Sequence, residues 1–498
     1  MSGARALLVA AIIITWLTMA AVPSEARTLQ VGLGSGRAAV SLGFPAGAQL
    51  VLPGGDTVAL APGDWVWVGL ARAMVQLGRS GPRWVAQQMA EALGSVELPV
   101  TYRYLQGSWI AYLGPFVSGS EAWSAAKQAQ QAGIPARVVW AYHPEGELTI
   151  SWRGGALQPV SRVGELVRAS GTSFTVDGRQ YRGEVHIWGL PDGTVQVINE
   201  VDLEAYLRGV VPAEMPAEWP LEALKAQAIA ARTYALRHCV AGGRHEGFDL
   251  CDGTHCQVYA GAGREHPRTD RAVKDTQGVV LWFGDRLADT VYHAHAGGRT
   301  EDAEQIWGSA VPYLRGRPVP AEPPRLWSWM LPEVELLQAL ARVVRQEVEG
   351  PLVEFNVLQW FPSGRVRRVS LVTPSGQYVV SAERLRSAIG ATRVRSGFWE
   401  VAKGQERTMI LGMSAAQVAA VLPAGDPVRI TRLVPAPALG VSYCTRQEPL
   451  WVFWGDGFGH GVGMSQWGAQ GLALDGWTHG QILQFFYPGT RLGPWKGP

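Results

Sequence analysis

The chain has 498 residues, a hydrophobic fraction of 47%, a charged fraction of 17% and a net charge of +2 from 44 basic and 42 acidic residues. This composition supports sizeable cores and excludes global disorder; the balanced charge excludes a dedicated nucleic-acid binder, which needs clustered cations against phosphate. An uncharged polymer fits as partner, and the 21 Trp supply ring faces suited to sugars or to ordinary cores.

Along the chain, Arg5 precedes a largely apolar run from Leu7 to Ala21, and Ser24-Glu25-Ala26 fits a small-x-small cleavage site. Residues 1–26 therefore read as a secretory signal peptide, with an uncleaved N-terminal anchor as the alternative. Either reading places the rest outside the cytoplasm, secreted or membrane-anchored at the cell envelope. Residues 27–98 contain short β-like pieces broken by Gly and Pro and predict a β-rich module. In 99–153 the order is strand, strand, helix (SGSEAWSAAKQAQQAGI, capped near Ser118 or Ser120 and stopped at Gly133), then two strands. That pattern resembles the SPOR domain, a small peptidoglycan-binding module, and equally fits any small β-α-β unit.

Strand-like segments resume over 154–200, and 201–316 holds the densest chemistry. PVPAEPPR at 318–325 reads as a linker. In 325–400 an amphipathic helix places Leu337, Leu340, Val344 and Val348 on one face, and FPSGR and TPSGQ mark turns between strands. The chemistry-rich style returns in 401–498. The predicted fold class is thus α+β and multidomain, with a catalytic α+β core (154–316 and 401–498) interrupted by a helix-plus-β-hairpin insertion (325–400).

Glu214 stands between Pro212 and Pro216, followed by a helix that Pro220 opens. Met215, Val211 and Trp219 would desolvate its carboxyl and raise its pKa, the tuning a general acid needs. A helix cap or an ion pair with Arg232 is the structural alternative. Lys225 and Arg232 are two helical turns apart and project from a similar side. His245, Cys251, His255 and Cys256 form a set sufficient for tetrahedral zinc. A Cys239–Cys251 or Cys251–Cys256 disulfide competes with that reading, and Cys444 stands apart. Four protein ligands would close the site and make the zinc structural. His293 and His295 share a strand face before Gly297-Gly298, or simply belong to an ordinary half-exposed strand. The string GDGFGHGVGMSQWGAQGLALDGW lets backbone approach a ligand closely, with His460, Ser465, Gln466 and Trp467 lining the same surface; a packed glycine loop without ligand is the alternative. No GK[ST], G-x-S-x-G or HExxH follows the pattern of nucleotide sites, serine hydrolases or zincins.

The strings VVPAEMPAEWPLEALKAQAIAARTYAL, CDGTHCQVYAG, AVKDTQGVVL, AGGRTEDAEQIWG and GHGVGMSQWGAQGLALDGWTHGQILQFFYPGT resemble the stage II sporulation protein D (SpoIID/LytB domain) family. The resemblance implies a lytic transglycosylase, a lyase cleaving MurNAc–GlcNAc bonds of peptidoglycan glycan strands stripped of stem peptides and leaving 1,6-anhydroMurNAc ends. In it Glu214 carries the catalytic position, Arg232 the helix arginine, and His245, Cys251, His255 and Cys256 a zinc site. His295 departs from the Ser of many members. Glu214 would protonate the glycosidic oxygen and then take the proton of the attacking C6 hydroxyl, so no second carboxylate is required, although Asp249, Asp252, Glu301 and Asp302 are candidates for one. Expected substrate contacts are Arg232, Lys225, His293, His460, Ser465, Gln466 and Trp467. The alternative is a non-catalytic, wall-binding enhancer of an N-acetylmuramoyl-L-alanine amidase. A zinc hydrolase and a plain envelope protein are further alternatives.

Overall fold

The structure, a computed structural model, describes residues 27–77, 88, 100–159 with short breaks, 164–404 and 450–497. The signal-peptide reading of 1–26 and Cys444 lie outside the described residues. The architecture is multidomain α+β, with mixed sheets and helical insertions.

The strand Thr28–Arg37 alternates, burying Leu29, Val31 and Leu33. It sits between Val195–Asp202, to which it is antiparallel, and Leu250–Cys251, to which it is parallel. Four further strands, Glu184–Gly189, Gly164–Ser170, Ala48–Val51 and Thr57–Leu60, complete a seven-stranded sheet. A nine-stranded sheet is organised on the long strand Asp64–Leu77. Its first half pairs with Ala39–Phe44 and Glu147–Trp152, and its second half with Ala136–Tyr142. The helix Gly119–Gln131 belongs to this part, and Ala122, Ala126 and Ala129 enter a core with Val75, Leu77 and Leu113. The predicted borders at 98/99 and 153/154 are therefore not sheet borders. Strands from all three predicted segments interleave, because pairing partners far apart in sequence leave no local signal.

The helix Leu221–Val240 is buried on nearly every side from Ala223 to Leu236. A single apolar stripe would not describe it. Its neighbours are the helices Leu203–Glu214, Pro267–Asp275, Gln466–Leu474 and His479–Phe486 and the strand Val279–Phe283. Ala at so many positions lets these elements approach closely.

The insertion has its own core, including Leu336, Leu340, Leu371, Leu385 and Phe453. It contains the helix Glu333–Val344 and the hairpin strands Glu354–Trp360, Val366–Thr373 and Gly376–Ser381. Its second sheet orders Leu326–Pro332, Leu450–Asp456 and Phe398–Gly404. Residues 450–456, predicted within the second core segment, thus complete the insertion's sheet. Past Asp456 the chain returns to the main core, where Met464–Ser465 pairs in parallel with Tyr292–His293. Among the described residues, no helix is long and apolar enough to cross a membrane.

Candidate functional site

Asp202 caps the helix Leu203–Glu214 by accepting from the amides of Glu204 and Ala205, each at 3.0 Å. The helix ends at Glu214, where Met215 turns extended and Pro216 prevents continuation. Glu214 is half-buried. Its Oε1 accepts from the Val258 amide at 2.8 Å and its Oε2 from Gln466 Nε2 at 2.9 Å. The Tyr292 hydroxyl donates to Gln257 Oε1 at 2.8 Å and lies beside the carboxyl. Burial raises the Glu214 pKa, and the hydrogen bonds from Val258 and Gln466, with the Tyr292 hydroxyl nearby, only partly offset it.

Two strings distant in sequence therefore meet at one carboxyl group. Gln466 reaches it because Ser465 caps the helix Gln466–Leu474, accepting from the Gly468 amide at 3.2 Å. Trp467 meets Trp219 edge-on at 4.8 Å, with Arg325 over its ring at 3.8 Å. His460 Nε2 donates to the Tyr292 carbonyl at 3.0 Å while Nδ1 accepts from the Val462 amide at 3.1 Å. Burial holds its pKa down to about 4, so the ring is neutral. His293 is buried with Nδ1 on the Val462 carbonyl at 3.0 Å, and its ring lies 5.4 Å from that of His460. Trp307, 49% exposed, also packs on His460, with ring centroids 5.1 Å apart.

Arg232 is placed elsewhere. It is wholly buried, with Nε and Nη2 on the Glu204 carboxylate at 2.8 and 2.7 Å and further bonds to Val279 O, Val273 O and Thr276. Its expected contact with substrate is corrected to a structural ion pair, and the partner is Glu204 rather than Glu214. Lys225 is half-buried and lies on Glu222 at 3.2 Å and Asp275 at 3.4 Å. Ser465 is buried and donates to Glu322. The candidate second carboxylates are likewise occupied. Asp249 and Asp252 accept from the amides of Gln30 and Gly34, Asp302 accepts from Gly316, and Glu301 is buried beside Arg365.

Residues that sequence reasoning passed over include Tyr292, Gln257 and Glu322. Glu322 lay in the proline-rich stretch read as a linker, yet its carboxylate is buried and accepts from the amides of Ala296 (2.8 Å) and Gly298 (2.9 Å). His295, the departure from the family pattern, is buried with Nε2 donating to Pro323 O at 2.6 Å.

His245, Cys251, His255 and Cys256 bring their ligand atoms within 4.8 Å of one another. His245 Nε2 lies 3.3 Å from Cys256 Sγ, and His255 Nδ1 lies 3.5 and 3.9 Å from the sulfurs of Cys256 and Cys251. Zinc bonds of about 2.0–2.3 Å require tetrahedron edges of about 3.3–3.8 Å, so this donor set fits a metal ion. Cys239, Cys251 and Cys256 are free thiols, which removes the competing disulfides among them. Burial, with the neighbouring Cys251 sulfur, pushes the Cys256 thiol up to about 11, and burial lowers the pKa values of His245 and His255. Neutral imidazoles offer lone pairs, and a cation would supply the charge that turns such thiols into thiolates. The loop is stitched to the N-terminal strand. His245 stacks on Phe248 at 4.6 Å, and Phe248 fills the space over Gly32, where a Cβ would meet its ring at 2.5 Å.

A half-buried carboxyl fixed by a backbone amide and a glutamine thus lies in an α+β core beside a His/Cys cluster able to hold a metal ion. The profile of the stage II sporulation protein family matches residues 191–283. An uncharacterised protein of Brachyspira hyodysenteriae is 30% identical over 319 residues, 64% of this chain and 74% of that protein. The stage II sporulation protein D of Bacillus subtilis is 29% identical over 349 residues, covering 67% and 83% respectively. The amidase enhancer of Bacillus subtilis is 28% identical over 334 residues, 64% of this chain but only 45% of the enhancer. The chain belongs to the SpoIID/LytB domain family. These comparisons lend the SPOR-like reading of 99–153 no support. They also correct the expected activity: the relatives are named for sporulation and for enhancing an amidase, none for cleaving glycan strands, so the lytic transglycosylase and lyase assignment gives way to the accessory alternative.

Proposed function

We propose that the chain is an extracytoplasmic accessory protein that holds peptidoglycan glycan strands at the Glu214 surface and enhances a cell-wall amidase. The observation that carries this reading is the similarity over 334 residues to the amidase enhancer. The chemistry of the site supports it. A carboxyl group whose pKa burial raises keeps its proton to higher pH than a free one, and so can donate to as well as accept from sugar hydroxyls and acetamides. Gln466 is a second amphoteric group at the carboxyl, and half-buried Trp467, backed by Trp219 and Arg325, adds an aromatic edge. His460, half-buried and neutral, adds a wall, with His293 buried behind it. Lys225, held on Glu222, is the one cation of the predicted contact set still within reach of solvent. In this reading His245, Cys251, His255 and Cys256 hold a structural zinc ion that orders the loop leading to Val258.

The test uses purified sacculi and a purified N-acetylmuramoyl-L-alanine amidase. Added chain is expected to co-sediment with sacculi and to raise stem-peptide release several-fold, with Glu214→Gln weaker in both assays. Unchanged release and no co-sedimentation overturn the proposal.

A further inference from the structure

The insertion's hairpin turn Phe361-Pro362-Ser363-Gly364-Arg365 ends inside the main core. A hairpin tip ordinarily sits in water, but Arg365 is only 2% exposed. Its Nη2 donates to the carbonyls of Ala296 at 2.7 Å and Arg299 at 2.9 Å. Its Nη1 lies 3.7 Å from Glu301 Oε2, which also accepts from the Ser363 hydroxyl. Phe398 covers the guanidinium at 4.3 Å. Gly461 approaches so closely that a Cβ there would lie 2.3 Å from Nη2.

From the segment Arg365 grips, hydrogen bonds continue without a gap. The Ala296 and Gly298 amides donate to Glu322, whose Oε1 also accepts from the Ser465 hydroxyl. Ser465 caps the next helix through the Gly468 amide. The first residue of that helix, Gln466, donates to Glu214 Oε2. We infer that Arg365 is a positioning residue for the Glu214 site, so that the docked insertion sets where Gln466 stands against the carboxyl group.

Burying the guanidinium is expensive: Nε and Nη1 find no hydrogen-bond partner among the described residues, and burial draws the pKa down to about 10. A hairpin that only needed to turn would not bury that charge. The return strand Leu450–Asp456 runs directly into the glycine loop containing Gly461, so the insertion holds the site from both sides. The inference is independent of which ligand the site takes.

The test reads the side-chain amide signal of Gln466 by NMR in the full chain, assigned by its loss in Gln466→Leu. In the native protein the signal is expected to be displaced from that of free amides. In Arg365→Met it is expected to move to the free position and broaden, and in Arg365→Lys, which can reach one carbonyl rather than two, to move part of the way. The His186 imidazole, in the N-terminal sheet, serves as the control and is expected to stay fixed. An unmoved Gln466 signal in folded Arg365→Met overturns the inference; should that variant not fold, an unmoved signal in Arg365→Lys does so. Equal displacement of the His186 signal would show general loosening and would also overturn it.

Discussion

Two carboxylates close in sequence, Glu214 and Glu222, are driven in opposite directions. For Glu214 burial dominates and raises the pKa. For Glu222 burial also pushes upward, but the His479 backbone amide (2.8 Å) and imidazole (2.6 Å), with Lys225, outweigh it and hold the pKa at about 2. The depressed Glu222 contributes stability that is present above its ordinary value of 4.5 and lost as pH falls toward about 2. Glu222→Gln is therefore expected to flatten the pH dependence of the unfolding free energy across that window, as read by urea titration at a series of pH values. For Glu214 the sign reverses: its contribution is full below the ordinary carboxylate range and is lost as pH rises through the raised value. Glu214→Gln should leave the melting temperature at pH 7 unchanged or higher while weakening retention on sacculi, and a lower melting temperature would contradict the desolvation account. Arg232→Met breaks a buried bidentate pair and is expected to cost about 3–5 kcal/mol in urea unfolding. Lost binding at undiminished stability would return Arg232 to the surface role first read for it.

The helices show what was legible and what was not. Ser465 and Thr478 stand at helix starts, and Thr478 with Gln481 forms a capping box, a signal written in adjacent residues. The turn FPSGR was legible for the same reason, through Gly364 at φ 94°. Its destination was not, because a turn motif specifies dihedral angles and not the surface that receives the tip. Glu322 was hidden likewise: proline marks extended backbone but says nothing about a neighbouring carboxylate. Arg232 was misplaced because helical spacing gives a direction but not the partner helix. The His/Cys set was legible as a ligand cluster, and the structure gathers its four ligand atoms with Cys251 and Cys256 as free thiols. Asp202→Ala removes two amide contacts at the helix that carries Glu214 and should cost about 1 kcal/mol in thermal unfolding. The purified protein is expected to contain about one zinc per chain by elemental analysis. Chelation should expose the thiols of Cys251 and Cys256 to an aromatic disulfide reagent and lower the melting temperature; thiols that stay protected after the metal is gone would argue against the loop depending on it.

At the scale of the whole molecule, the strings between Asp202 and Thr490 specified the family and brought Glu214 and Gln466 together, but not what the assembly does. The same partly desolvated carboxyl group can give a proton to a leaving group or hold a sugar hydroxyl, and nothing in residue spacing separates the two. The near-zero net charge carries its own expectation. If the ligand is an uncharged stretch of polysaccharide, retention on sacculi should change little between about 50 mM and about 500 mM salt, since there is little charge attraction to screen.

The interleaved N-terminal sheets bear on how the protein can be cut down for experiment. Punctuation in the sequence invites clones starting at 99 or 154, yet either would delete Thr28–Arg37 from between Val195–Asp202 and Leu250–Cys251. The strand feeding the Glu214 helix would then present a bare, flat edge of unpaired amides and carbonyls, the kind that recruits copies of itself into aggregates. The Cys251 strand would lose its only backbone ladder among the described residues. The shortest soluble fragment should accordingly begin near residue 27.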